Sequence, residues 1–196
     1  MNKQPPLARP DGHTASGQRI SFLLPSTTLA NIDDVALALA NTCRLGGHTR
    51  QFFSNAQFAV LLSEIVPERH AWEGLLCQAY KAIIGDPLPS ICRYFGAYQA
   101  FEARMKAASR AQFGLPEVMS EPVLEALLQL KATELHQFGP KRIPLPDELV
   151  AIKPLTFSIP EMAPIVAYRA FLDRHEYLWR EDEARRGAYL DGGDSA

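Results

Sequence analysis

Glycine and proline cut this chain into stretches whose apolar residues recur at three, four and seven, the repeat that lays one face of an α-helix on a core. The first stretch runs from about Asn31 to Cys43, with Asn31 as cap, Asp33 and Asp34 set against the positive end of the helix dipole, and Gly46-Gly47 beyond it. Ser54-Asn55-Ala56-Gln57 matches a capping box and opens a run containing Phe58, Val60, Leu61, Leu62 and Ile65, which Pro67 closes. Trp72, Leu75, Leu76, Ala79 and Ile83 carry the next helix to Gly85 and Pro87, and the two are predicted to pack as neighbours. A fourth helix, about Ala97 to Phe113, sets Phe101, Met105 and Ala108 on one face. A fifth, about Glu121 to Gln137, carries enough leucine to predict deep burial. Six of the 15 prolines fall between Pro140 and Pro164, which predicts a covering loop of extended segments. The last helix is expected to turn Val166, Tyr168, Phe171 and Leu172 inward before a charged end at Trp179–Arg186. No strand series is visible, so the expected class is all-α.

A chain of 196 residues suits one domain. The expected division is a flexible tail over 1–18, a helical domain over 19–187 and a flexible tail over 188–196. With 47% apolar residues, 21% charged residues and a formal net charge of −2, the composition is that of a soluble globular protein with no overall field for nucleic acid or anionic membrane. No apolar run reaches the roughly 20 residues that span a bilayer, and prolines near the N-terminus stand where an export signal needs an apolar segment. A cytoplasmic protein is expected. Cys43, Cys77 and Cys92 are odd in number and widely spaced, which fits neither a disulfide framework nor a CxxC site. The histidines, His13, His48, His70, His136 and His175, never stand one helical turn apart. Trp72 and Trp179 have no basic stripe beside them and read as packing anchors.

The most informative residues are Cys43-Arg44-Leu45-Gly46-Gly47-His48-Thr49-Arg50, Ser54-Asn55-Ala56-Gln57-Phe58, Leu75-Leu76-Cys77-Gln78-Ala79-Tyr80-Lys81-Ala82 and Gly85-Asp86-Pro87. In order, spacing and helical setting these resemble the HD-domain phosphohydrolases, in particular the small branch that includes the bacterial 5'-deoxynucleotidase. The resemblance runs from about Gly17 to Leu178 and implies a helical bundle of HD type. It also implies where chemistry would sit. Such enzymes hold a divalent metal with a His, an adjacent His-Asp pair and a late Asp, and the metal activates water against a phosphate. The matching positions here are Phe58, Cys77-Gln78 and Leu127, while Tyr80 and Lys81 replace a further His and an acidic residue. Phe58 and Leu127 carry no lone pair and Gln78 is a weak neutral ligand, so no metal or other cofactor is expected.

Arg44 and His48 match the stretch lining the substrate cavity of such enzymes, Asp86 matches the acidic residue of their GD turn, and Lys81 adds a positive charge near the vacated metal position. Arg44 is suited to hold a phosphate bidentately, with His48 as second donor and Asp86 accepting from a sugar hydroxyl. The alternative local reading has Lys81 pairing with Asp86 and Arg44 bonding carbonyls at the helix-loop junction. The functional expectation is a catalytically inactive HD-like protein that binds a protein partner or a nucleotide; the resemblance also implies self-association. Two other readings stand beside it. One is an active hydrolase with a rebuilt site of Cys77, His48 and Asp86; the other is a purely structural module whose pocket is closed by Phe58, Tyr80 and Leu127.

Overall fold

The computed structural model describes residues 11–25, 31–141 and 145–191, with the side chains of Ser90 and residues 184–191 set aside. The chain begins with a short antiparallel hairpin, β1 (Asp11–His13) and β2 (Arg19–Ser21), in which Gly12 faces Ile20. Helices follow: α1 (Ile32–Asn41), α2 (Asn55–Ile65), α3 (Ala71–Leu76), α4 (Lys81–Ile84), α5 (Pro89–Tyr94), α6 (Gly96–Gln112), α7 (Glu121–Phe138) and α8 (Pro164–Asp191). The architecture is an all-α bundle with a two-stranded ornament.

Several helix starts follow from their caps. The Asn31 side chain accepts from the Asp34 N–H at the head of α1, and the Ser54 hydroxyl accepts from the Gln57 N–H at the head of α2. The capping box is only half made, because the Gln57 amide donates 2.7 Å to the Pro160 carbonyl instead of returning to Ser54. Helix α2 is the centre of the molecule. It packs against α1, α3, α7 and α8, and its residues from Asn55 to Ala59 are all buried. Gly74 makes the α2–α3 crossing possible, since a Cβ there would lie 3.1 Å from both the Ser63 Cα and Val66. Phe53, Phe58, Leu62, Leu75, Leu76, Leu130 and Phe171 fill the core.

The structure corrects some of the expected boundaries. Residues 11–18, read as loose tail, form the first strand and turn of the hairpin because Asp34 at the head of α1 holds them. Its carboxylate accepts from the Ser16 N–H at 2.9 Å and the Ser16 hydroxyl at 2.5 Å. Those bonds hold the Asp34 carboxyl below the ordinary carboxylate range. Helix α8 continues to Asp191 rather than ending at 187, with Glu176 and Arg180 paired one turn apart along it. Its inward face is Ala167, Phe171 and Leu178, while Val166 points outward, as does Leu124 on α7. The expected single helix through Trp72–Ile83 is broken at Cys77–Tyr80, where the hydrogen bonds tighten to Ala79 on Leu76 and Lys81 on Gln78. The remaining tail residues, 1–10 and 192–196, lie outside the described residues.

The proline-rich stretch, expected as a covering loop, lies against α7 and holds one short 3-10 turn at Asp147–Leu149. Prolines remove donors and extended segments leave carbonyls unpaired, so side chains supply the partners. Gln137 donates to the Phe157 carbonyl and accepts from the Ile159 N–H, and the Thr133 hydroxyl accepts from the Leu155 N–H. No helix among the described residues is long and apolar enough to cross a membrane.

Candidate functional site

The loop after α1 and the turn after α4 meet at Asp86. Leu45 and Gly46 both adopt left-handed backbone, with φ of 54° and 60°, a conformation that is strained for leucine. Asp86 holds them there: its carboxylate accepts from the Leu45 N–H at 3.0 Å and its carbonyl from the Gly46 N–H at 2.8 Å. This geometry turns the Arg44 side chain into the protein.

Arg44 is 2% exposed, and its guanidinium is spoken for on every side. The Glu134 carboxylate on α7 takes the fork in two bonds of 2.9 and 2.8 Å, while Asn55 and Gln78 accept at 2.9 and 3.3 Å. Asp86 lies 3.2 Å away, and the Phe58 ring stacks beneath at 4.0 Å. Burial works against the Arg44 charge, but the Glu134 and Asp86 carboxylates outweigh it and raise the guanidinium above its ordinary pKa. An arginine so enclosed has no free fork for a phosphate.

Lys81 reaches the other Asp86 oxygen at 2.5 Å. Burial, with the Arg44 charge adding to it, pushes the Lys81 amine down to about 8 despite this pair. Burial opposes ionisation of Asp86, yet two cations and the Leu45 N–H hold its carboxyl below the usual range. The two shifts are compatible, since Asp86 faces two cations whereas Lys81 shares its single carboxylate with Arg44. Arg44, Lys81, Asp86 and Glu134 therefore form a neutral buried set. Sequence reasoning paired Lys81 with Asp86 as one of its alternatives. It did not place Glu134, which lies 90 residues beyond Arg44.

Beside this set opens a cleft of about 600 Å³ between the α3–α4 turn, α6 and α7, lined by Cys77, Gln78, Tyr80, Lys106, Leu127 and Lys131 among others. A cavity of about 360 Å³ adjoins it through Gln78, Tyr80, Lys106 and Lys131 and extends to Lys81 and Asp86. Of the four expected binding residues, the structure brings Arg44, Lys81 and Asp86 together, but only Lys81 and Asp86 line a cavity, the smaller of the two. His48 is exposed and lines neither cavity.

The residues that the resemblance sets at metal-ligand positions lie close together: Phe58 and Gln78 both touch Arg44, and Cys77, Gln78 and Leu127 share the cleft wall. Burial pushes the Cys77 thiol up to about 12, so in the absence of a metal it stays protonated and is a poor nucleophile at neutral pH. Among the described residues, no group of three or more His, Cys, Asp and Glu side chains could hold a metal ion. Cys77, His48 and Asp86 share no hydrogen bond with one another among the described residues. The cleft residues missed by sequence reasoning are Lys106 and Lys131. Lys131 had a readable signal, a cation interrupting an apolar run one turn after Leu127 and one turn before Glu134 on the same helix face.

No protein-family model matches the chain. Over 149 residues it is 38% identical to the uncharacterized protein YfdR of Escherichia coli, an alignment covering 75% of this chain and 83% of that one. The chain belongs to the YfdR family. Similarity extends to an uncharacterized protein of Rhodobacter capsulatus, 30% identical over 122 residues, or 57% of this chain and 62% of that relative.

Proposed function

We propose that this chain is a non-hydrolytic protein of HD-domain type, acting in the cytoplasm by binding a nucleotide or a protein partner. The observation that carries the reading is the donor set at the positions matching the metal ligands of HD phosphohydrolases. Phe58 and Leu127 offer no lone pair, Gln78 is engaged by Arg44, and Cys77 keeps its proton. Hydrolysis by such enzymes needs a metal-bound water next to a phosphate, and these side chains cannot assemble one. The larger cleft is open and walled in part by the apolar Leu115, Met119 and Leu127, and the smaller cavity that adjoins it reaches Lys81 and Asp86. An open amphipathic cleft favours a small ligand over a pocket closed by Phe58, Tyr80 and Leu127.

The test is the divalent-metal content of purified protein after exposure to manganese, cobalt, nickel and zinc, followed by hydrolysis assays on a panel of deoxynucleotides. The expected result is no retained ion and no turnover, with thermal stabilisation by one or more nucleotides. About one tightly held ion per chain, together with phosphate release, overturns the reading.

A further inference from the structure

The chain's two tryptophans, Trp72 and Trp179, meet in a cavity of about 600 Å³ that shares no lining residue with the cleft or the space adjoining it. Ile32 of α1, Trp72 of α3, Phe113 at the end of α6, and His175, Glu176 and Trp179 of α8 line this second cavity. Trp72 is fixed by its indole N–H, which donates to the Phe113 carbonyl at 2.9 Å. The His175 ring stands 5.0 Å from it, tilted by 42°, and the Trp179 ring 5.9 Å from it, tilted by 47°. Neither pair stacks flat, so π surface of all three rings stays turned to the cavity they line. An indole packed for burial alone would be covered, yet Trp179 is 45% exposed.

The charges around these rings are mostly negative. On α8, Asp173, Glu176, Arg180 and Glu181 line a groove that shares Glu176 with the aromatic cavity, three carboxylates against one guanidinium. Glu176 pairs with Arg180, and neither Asp173 nor Glu181 has an ion pair among the described residues. Asp33 on α1 adds a further carboxylate, which accepts from the Tyr168 hydroxyl at 3.3 Å and acts on His175. The other arginines within three residues of the lining side chains are engaged elsewhere. Arg174 donates to the Ser63 hydroxyl and carbonyl, Arg110 to Glu73 and the Pro116 carbonyl, and Arg69 to its neighbour His70. Burial holds the His175 imidazole below the ordinary histidine pKa, so near neutral pH it contributes a ring without a charge.

We infer that the Trp72, His175 and Trp179 rings form a seat for a small quaternary ammonium ion, with Glu176 at its rim. The faces of aromatic rings carry negative potential and attract a cation, and the carboxylates of α8 and Asp33 reinforce that field. A quaternary ammonium has no N–H to satisfy, which suits a site walled by rings, whereas a primary ammonium is strongly hydrated and asks for acceptors. Ile32 and Phe113 give its methyl groups apolar contact. A flat neutral ring finds no slot between parallel partners, because Trp72 and Trp179 already touch and are tilted against each other. The seat lies apart from the Arg44 cluster and goes beyond the nucleotide or partner reading, and neither depends on the other.

Both tryptophans of the chain lie in this cavity, so intrinsic indole emission reports on it alone. The experiment titrates the full chain at pH 7.5 with choline and tetramethylammonium, read by that emission and by calorimetry. The control is 3,3-dimethylbutan-1-ol, which has the shape of choline with carbon in place of the charged nitrogen. Saturable binding of the ions is expected, with the alcohol at least tenfold weaker than choline. Trp179→Leu should weaken choline at least tenfold, Trp179→Phe should retain most of the affinity, and Glu176→Gln should weaken it severalfold. Circular dichroism checks that the variants fold; if Trp179→Leu does not, the comparison of choline with the alcohol on wild type and the effect of Glu176→Gln decide in its place. Phosphatidylcholine vesicles separate two sources of the same group. Binding of the free ions without co-sedimentation names a soluble ion, and co-sedimentation lost in Trp179→Leu names a lipid headgroup; each supports the seat. Equal affinity for choline and the alcohol, choline binding untouched by Trp179→Leu, or failure of both ions to bind wild type overturns it.

Discussion

Replacing Glu134 with leucine removes the partner that fills the Arg44 fork while leaving the arginine where nothing else can fully neutralise it. Two charge-assisted hydrogen bonds, 2.9 and 2.8 Å long, disappear from a pair whose side chains are 2% and 1% exposed. Breaking a buried pair from one side costs about 3–5 kcal/mol. Asp86 at 3.2 Å and the Asn55 and Gln78 oxygens still hold the guanidinium, which places the expected loss at the lower end, about 3 kcal/mol. For a chain of this length that corresponds to a fall of roughly 6–12 °C in Tm. Arg44→Met alone, which strands Glu134, should lose a similar amount. The double variant Arg44→Met/Glu134→Leu replaces the pair by apolar groups and should lose much less than the sum, with a coupling of about 2 kcal/mol or more. Urea unfolding monitored by circular dichroism gives all three values, provided the m-value stays constant. A loss below about 1 kcal/mol for Glu134→Leu, or strict additivity in the cycle, would refute the argument that these groups form one buried set.

Two further outcomes follow from the same cluster. The Asp86 carboxyl is held below its ordinary value of 3.8, so its contribution to stability is complete above that pH and is lost as the pH falls through the lower folded value. The stability gap between wild type and Asp86→Asn, read from urea midpoints, should be steady at mildly acidic pH, where Lys81 is charged, and shrink below about pH 4; a gap unchanged down to pH 2.5 would contradict the pairing. Cys77, buried and pushed up to about 12, should resist alkylation by iodoacetamide at pH 8 while the partly exposed Cys43 and Cys92 react. Mass spectrometry after digestion tells the sites apart, and rapid native labelling of Cys77 would show that its enclosure is wrong.

The helical segments were legible because their signals are local. Asn31 and Ser54 cap α1 and α2 with backbone donors three residues away, a geometry available to any chain that starts a helix there. Phe101 was placed on one face with Met105 and Ala108, and the latter two are buried. Hidden from such reading were features whose partners lie far along the chain. Ser16 is held by Asp34, which turns a polar stretch into a strand and turn. Gln57 leaves its capping box for Pro160, and the helix expected through Cys77–Tyr80 tightens so that Gln78 meets Arg44 and Lys81 meets Asp86.

The candidate site divides along the same line. The sequence by itself determined that Phe58 and Leu127, the residues a resemblance to HD phosphohydrolases would set at a metal centre, can offer no electron pair, because ligand chemistry is a property of residue type. It also brought out Arg44, Lys81 and Asp86. Only the tertiary structure decided that Arg44 is consumed by Glu134 and that His48 faces outward. Whether a charge is free or matched depends on which groups surround it in space. For Arg44 that partner is 90 residues away, and it is packing of α7 against α2 that brings it there.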